Sequence, residues 1–331
     1  LAQLAKIYMR DFSYFLGAQE PAKEEELILW RDCVKNGDIT RIKEQEFLKY
    51  CYHYFELEQK LGMDHRYKLS QLPLKRDDLD FKMIAEIAKE YYQKMQLGPR
   101  PACCLEKILE EIYNIKIAFL DLRNYGSAAS SISKFGAAVL INAAEPLWRR
   151  NFDLAHELFH IITWDIFKHE DIHSNQAGKK PIIEQWADAF ASHLLLPQEE
   201  VREEFMSRLE NEKISVVDIV GIARDFVVST EALVWRLVFL KLIKRKDAED
   251  LLENPAVREL DKAQRKKDWK DAPDISFRYV NLAFKAFQKG VISKGKLAEY
   301  LSVNRADLAD KLAEYGYNDT GVSYNEGIAT A

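Results

Sequence analysis

The stretch Asn151-Phe152-Asp153-Leu154-Ala155-His156-Glu157-Leu158-Phe159-His160-Ile161-Ile162-Thr163 constrains this chain more than any other feature. Two histidines four apart on a helix lie about 40° apart around its axis and roughly 6 Å apart along it, so both imidazoles can grip one metal ion. Glu157, between them, is then free to act as a base. Such a helix must be anchored on one side and open on the other. Trp148, Phe152, Ala155, Phe159 and Ile162 form an apolar stripe suited to the anchor, which predicts that His156 and His160 face a cleft.

A catalytic zinc site takes three protein ligands and keeps its fourth position for water. Glu184-Gln185-Trp186-Ala187-Asp188 offers two carboxylates four apart on a second helix. Glu184 is the expected third ligand, and Asp188 is expected to orient a ligand histidine through its distal N–H. With Zn2+ lowering the pKa of its water to about 7, Glu157 would take the proton and pass it to a leaving amine, the chemistry of peptide hydrolysis. A histidine pair with an intervening glutamate also occurs by chance. Here a strand and hairpin precede it and a helically spaced carboxylate pair follows.

The chain has 331 residues, 47% of them hydrophobic, which is enough for two or three ordinary domains. No apolar run approaches the roughly 18 to 20 residues of a membrane span, and the first twenty residues lack the order of a signal peptide, so a cytoplasmic location is expected. The sequence starts at Leu1 rather than Met, and a preceding piece is expected. Cys33, Cys51, Cys103 and Cys104 form no disulfide framework and read as free thiols. A net charge of -5 argues against a surface given over to nucleic acid, while leaving room for a local basic patch.

Residues 1 to about 70 read as helical throughout. A helix is expected from about Leu79 to Met95, then one opened by Pro101 with Leu105, Ile108, Leu109 and Ile112 on one face. Ile115 to Leu120 alternates like a strand. Ser130 to Ser133 and Ala137 to Asn142, around Lys134-Phe135-Gly136, suggest a hairpin leading into the histidine helix. After a polar loop, Pro181 opens a helix that Pro197 stops. Helices are expected between Ser215 and Ile243, then a charged linker from Lys244 to Asp271 and a helical unit from about Ser276 to Tyr317. The expected units are a helical N-terminal region (1–74), a metallopeptidase domain (75–205), a helical extension with charged linker (206–273) and a C-terminal helical unit (274–331). The fold class is α+β.

On Leu97-Gly98-Pro99-Arg100-Pro101, Ala138-Val139-Leu140-Ile141-Asn142, Arg150 to His160, Glu184 to Ala191 and Leu194-Leu195-Leu196-Pro197, the chain resembles the ImmA/IrrE metallopeptidases over roughly residues 79 to 205. More weakly, Leu1 to Gly17 looks like the end of the helix-turn-helix that precedes many members, and Ile292 to Gly316 like their C-terminal helical unit. Phe159 stands where many relatives have glycine, and Trp164 where a histidine often sits. The resemblance implies a zincin-like fold with a small sheet and a gluzincin-like site. It also implies a helix-turn-helix repressor as substrate, cut to derepress a stress, mobile-element or antiphage-defence operon. The strand Gly136 to Asn142 offers an edge on which an extended substrate could pair, or else is covered by the rest of the sheet.

Weaker signals carry plainer alternatives. Cys104, and less so Cys103, could fill the fourth zinc position and hold the enzyme off, or be a small buried hydrophobe. His169 and His173 could close over the site as oxyanion stabilisers, or be solvated loop residues. Ile219 to Leu237 has the helix, turn and helix of a DNA-reading unit, but Trp235, Val238 and Phe239 suggest packing instead. Arg265, Lys266, Lys267, Trp269 and Lys270 could bind single-stranded DNA as an activator, or be a solvated helix face. A DNA-binding regulator using the peptidase fold as scaffold or sensor is the alternative to an active enzyme, and a general peptidase is a third reading.

Overall fold

A computed structural model describes residues 26–31, 37–64, 66–167, 180–265 and 274–317. Leu1 to Gly17, Cys33, His169, His173 and Lys266 to Lys270 lie outside the described residues, so the expectations placed on them do too.

Four strands form one sheet: β1 (Leu29–Arg31), β2 (Lys116–Leu120), β3 (Ala128–Ser133) and β4 (Gly136–Asn142), in the order β1-β3-β4-β2. β3 and β4 are the expected hairpin, antiparallel from Ala128↔Ile141 to Ser133↔Gly136, with Gly136 at φ 95°, where a side chain would be strained. β4 pairs in parallel with β2, and β1 runs antiparallel to β3. β4 is therefore interior. Its backbone groups are used on both sides, which corrects the reading of Gly136 to Asn142 as a free edge. β1 is a second correction. The N-terminal 70 residues are not helical throughout, because Ile28-Leu29-Trp30 is a β-prone apolar run.

Strand alternation builds two cores. Ile117, Phe119, Ala128, Val139 and Ile141 face one way, into the cluster that holds Leu154, Ala155 and Leu158 of α4 (Leu147–Ile162). Trp30, Ala118, Ala129, Ala138 and Leu140 face the other way, against Phe47 and Cys51 of α1 (Gly37–Lys60). On β1, Leu29 shares the α4 side while Trp30 takes the α1 side.

α2 (Phe81–Lys94) and α3 (Leu105–Glu111) lie where expected, with the Asp80 side chain capping α2 by accepting from the Met83 N–H. Ile112 is exposed rather than on the buried face of α3, because the helix ends one residue earlier. After α4 come α5 (Trp164–Phe167), α6 (Ile182–Leu195) and α7 (Gln198–Ser207). Pro181 and Pro197 stand just ahead of α6 and α7, as their lack of an N–H favours. α8 (Val216–Asp225) and α9 (Thr230–Phe239) are capped by Ser215 and Ser229. The segment expected to be a charged linker contains α10 (Arg245–Glu253) and α11 (Pro255–Arg265); Ala248 and Val257 are buried, and the density of charge had hidden their amphipathic spacing. α12 (Phe277–Gln288), α13 (Lys294–Tyr300) and α14 (Leu308–Glu314) form the C-terminal unit, which packs around Tyr54 and Leu57 of α1. The class is α+β. No described helix is long and apolar enough to cross a membrane.

Candidate metal centre

α4 lies under β3 and β4 and against α6, so its second half is enclosed on every side. From Asp153 to Ile162 each residue is buried, a difference from the expected single stripe beside an open cleft. His156 is 0% exposed, Glu157 1% and His160 4%. Phe159 helps to seal the helix, its ring 5.7 Å from that of Phe190 on α6.

His156, Glu157 and His160 are the group of metal-competent side chains found among the described residues, their ligand atoms within 4.8 Å of one another. Glu184 comes closer still to both imidazoles. His156 Nε2 lies 3.2 Å from His160 Nε2 and 3.3 Å from Glu184 Oε2, and His160 Nε2 lies 3.2 Å from Glu184 Oε1. Asp188, one turn further along α6, contacts His156 Nδ1 at 2.9 Å. The structure thus brings His156, Glu157, His160, Glu184 and Asp188 together from two helices.

The electrostatics follow from this packing. Burial would raise the Asp188 carboxyl, but His156, Arg31 and Lys180 outweigh it and hold the group at about 2. An ionised Asp188 can only accept, so His156 Nδ1 is the donor, and in the neutral ring Nε2 carries a lone pair. That lone pair, His160 Nε2 and the Glu184 carboxylate then face one another at contact distance. Such an arrangement is repulsive unless a proton or cation lies among them, so the donor set fits a metal. Burial would likewise raise Glu184, yet its two histidine contacts push it well below the usual carboxylate range. Burial raises Glu157, and both of its oxygens lack a hydrogen-bond partner among the described residues. A buried, unpartnered carboxylate beside a metal-competent group is what a proton carrier requires.

Three residues of the site were missed from the sequence. Arg31 on β1 pairs with Asp153 and reaches Asp188, Nη2 to Oδ1 at 3.1 Å. Lys180 pairs with the other oxygen of Asp188. Asp153 lies one turn before His156 and could have been found from that spacing, whereas Arg31 and Lys180 are joined to the site only by the fold.

Other candidates fall elsewhere. The Cys104 thiol donates to the Leu97 carbonyl at 3.1 Å and packs beside the main core, and burial pushes its pKa up, so it is not brought to the histidines. Cys103 is exposed and borders a cavity with Lys107 and Phe277. α8 and α9 are two short helices joined by a turn, and Leu233, Val234 and Leu237 of α9 pack inward. Trp235 and Phe239 are exposed, however, which corrects their reading as packing residues.

Residues 110–238 match the model of the IrrE N-terminal-like domain, a peptidase family. No curated protein matches the chain. A solved structure described as a Mycobacterium tuberculosis transcriptional regulator is 17% identical over 56% of this chain and 51% of that one, with a TM-score of 0.36, so this chain spans about half its length. The matched segment takes in the histidine helix, α6 and nearly all of the α8–α9 pair, and over these residues the chain carries an IrrE N-terminal-like domain of the ImmA/IrrE family.

Proposed function

We propose that the chain is a zinc-dependent endopeptidase that cleaves a helix-turn-helix repressor and so derepresses a stress, mobile-element or antiphage-defence operon. The observation that carries the hydrolytic part is the convergence of His156, His160 and Glu184 beside the unpartnered Glu157. Ligand atoms around a tetrahedral zinc lie roughly 3.3 Å apart when each is about 2.0–2.1 Å from the ion, which suits the contacts at this site. His156, His160 and Glu184 would hold the ion, in the manner of a gluzincin. When bound, zinc supplies Lewis-acid stabilisation of a developing oxyanion and acidifies water.

Glu157 takes the proton of the attacking water on its carboxylate and delivers it to the leaving amine nitrogen. Asp188 holds the His156 ring in one tautomer and orientation. The repressor substrate follows from the family likeness, and DNA as an activator from the basic segment after α11.

The test incubates the zinc-loaded chain with the product of the neighbouring reading frame, expected to be a small helix-turn-helix protein, with and without single-stranded DNA. Cleavage at one position is expected. Glu157→Gln should keep its zinc and lose cleavage, and continued cleavage by that variant would refute the assigned base.

A further inference from the structure

We propose that the outer edge of β3 is the docking strand for an extended substrate peptide, and that Leu29–Arg31 occupies this edge as the chain's own substrate-like strand. This rests on the peptidase reading. β3 packs directly on α4, the helix that carries Glu157, and Leu29 is registered directly opposite Ser130, whose side chain is fully buried. β4 is paired on both sides and β2 lies two strands away, so among the described strands only β3 would present an edge beside Glu157 once β1 left. Strand addition at such an edge is a common way to hold an extended peptide.

A very short edge strand can simply blunt a sheet against aggregation. β1 does more. The Arg31 side chain leaves the strand on the α4 side and forms a buried ion pair with Asp153 and a half-buried one with Asp188, the carboxylate that holds His156. Burying a guanidinium is costly, and a mere cover has no need of one. The strand closes a site whose groups are already sealed, with His156 and Glu157 out of contact with solvent, so no peptide reaches them until some cover moves. β1 is held by only three paired positions, which makes it the element easiest to displace.

The strand also defines what replaces it. On the α4 side it presents leucine and then, two residues on, arginine; Trp30 points the other way into the α1 cluster. The peptide that fits is extended, with an apolar residue two positions before a basic one, its cation received by Asp153.

The experiment uses a fluorescein-labelled peptide with the sequence of residues 26–32, zinc-loaded full-length protein carrying Glu157→Gln, and hydrogen exchange over residues 128–133. At trace concentration the parent should not capture the peptide. Adding Arg31→Ala or Leu29→Asp should raise exchange at the β3 edge about tenfold and permit capture, read by anisotropy. Replacing arginine with alanine in the peptide should weaken capture by about tenfold or more. Unchanged exchange in both folded variants, or a loosened edge that captures nothing, overturns the proposal. Should both variants fail to fold, excess peptide added to the parent decides the matter: raised exchange at Leu29–Arg31 supports displacement, and none overturns it. With Glu157 restored, the released forms should cleave casein faster than the unaltered chain. Capture without any cleavage leaves the docking edge standing and overturns the peptidase reading instead.

Discussion

Asp188 Oδ1 contacts both His156 Nδ1, at 2.9 Å, and Arg31 Nη2, at 3.1 Å, so one carboxylate oxygen ties the metal-facing ring to the edge strand. The contact makes Nδ1 the donor, so that Nε2 of the neutral ring is the nitrogen that would face a metal. Removing it in Asp188→Ala should lower zinc affinity by about 10- to 100-fold without unfolding the chain. Competition with a chromophoric chelator measures this, and an unchanged affinity would show that the ring needs no such partner.

Metal and fold should be linked through Glu184. A ligand that binds only the folded state at about 1,000 times its Kd adds roughly 4 kcal/mol. A chelator should therefore lower the Tm of the unaltered chain and of Glu157→Gln alike, since Glu157 is assigned no ligand role. Glu184→Ala should melt at the same temperature with or without chelator. A zinc-dependent Tm in that variant would remove Glu184 from the ligand set.

The site's two helices were legible because their chemistry is local. His156, Glu157 and His160 lie within five residues, and Glu184 and Asp188 are one turn apart, so helical periodicity alone aligns each set. The hairpin was legible for the same reason, its turn and both strands being contiguous. Sheet order was not: β2 pairs in parallel along β4 and takes up the edge expected there, while the distant Leu29–Arg31 segment covers β3. Cys104 misled because burial and helix position say nothing of direction, and its thiol is spent on the Leu97 carbonyl. In α10 and α11 the charges dominate the composition, and only the spacing of Ala248 and Val257 reveals the buried stripe.

A buried charge cluster outside the site joins the C-terminal unit to the sheet. Glu58 on α1 is fully buried, with Lys116 Nζ of β2 2.8 Å from one oxygen and Arg278 Nη2 of α12 2.9 Å from the other. Glu58→Met leaves two buried cations without their counter-ion and should cost about 3–5 kcal/mol. Lys116→Met leaves Glu58 paired with Arg278 and should cost roughly half as much. Urea unfolding of the two variants gives the order, and equal or reversed costs would contradict the shared-anion arrangement.

Glu110 on α3 predicts a pH dependence of opposite sign to ordinary acid unfolding. Burial raises its carboxyl from 4.5 to about 8, with nearby Glu106 adding to the rise, although Ser276 donates to it and Arg278 lies near. The folded value is above the unfolded one, so the folded chain holds the proton more tightly. The resulting stability is complete below about pH 4.5 and is lost as pH rises through about 8. The slope between these limits is at most about 1.4 kcal/mol per pH unit. Glu110→Gln keeps an acceptor for Ser276 and Tyr54 while removing the titration. Its stability relative to the unaltered chain should therefore improve steadily from pH 5 to pH 8, measured as the difference in urea midpoint. Parallel pH profiles for the two proteins would show that Glu110 titrates alike in the folded and unfolded chain.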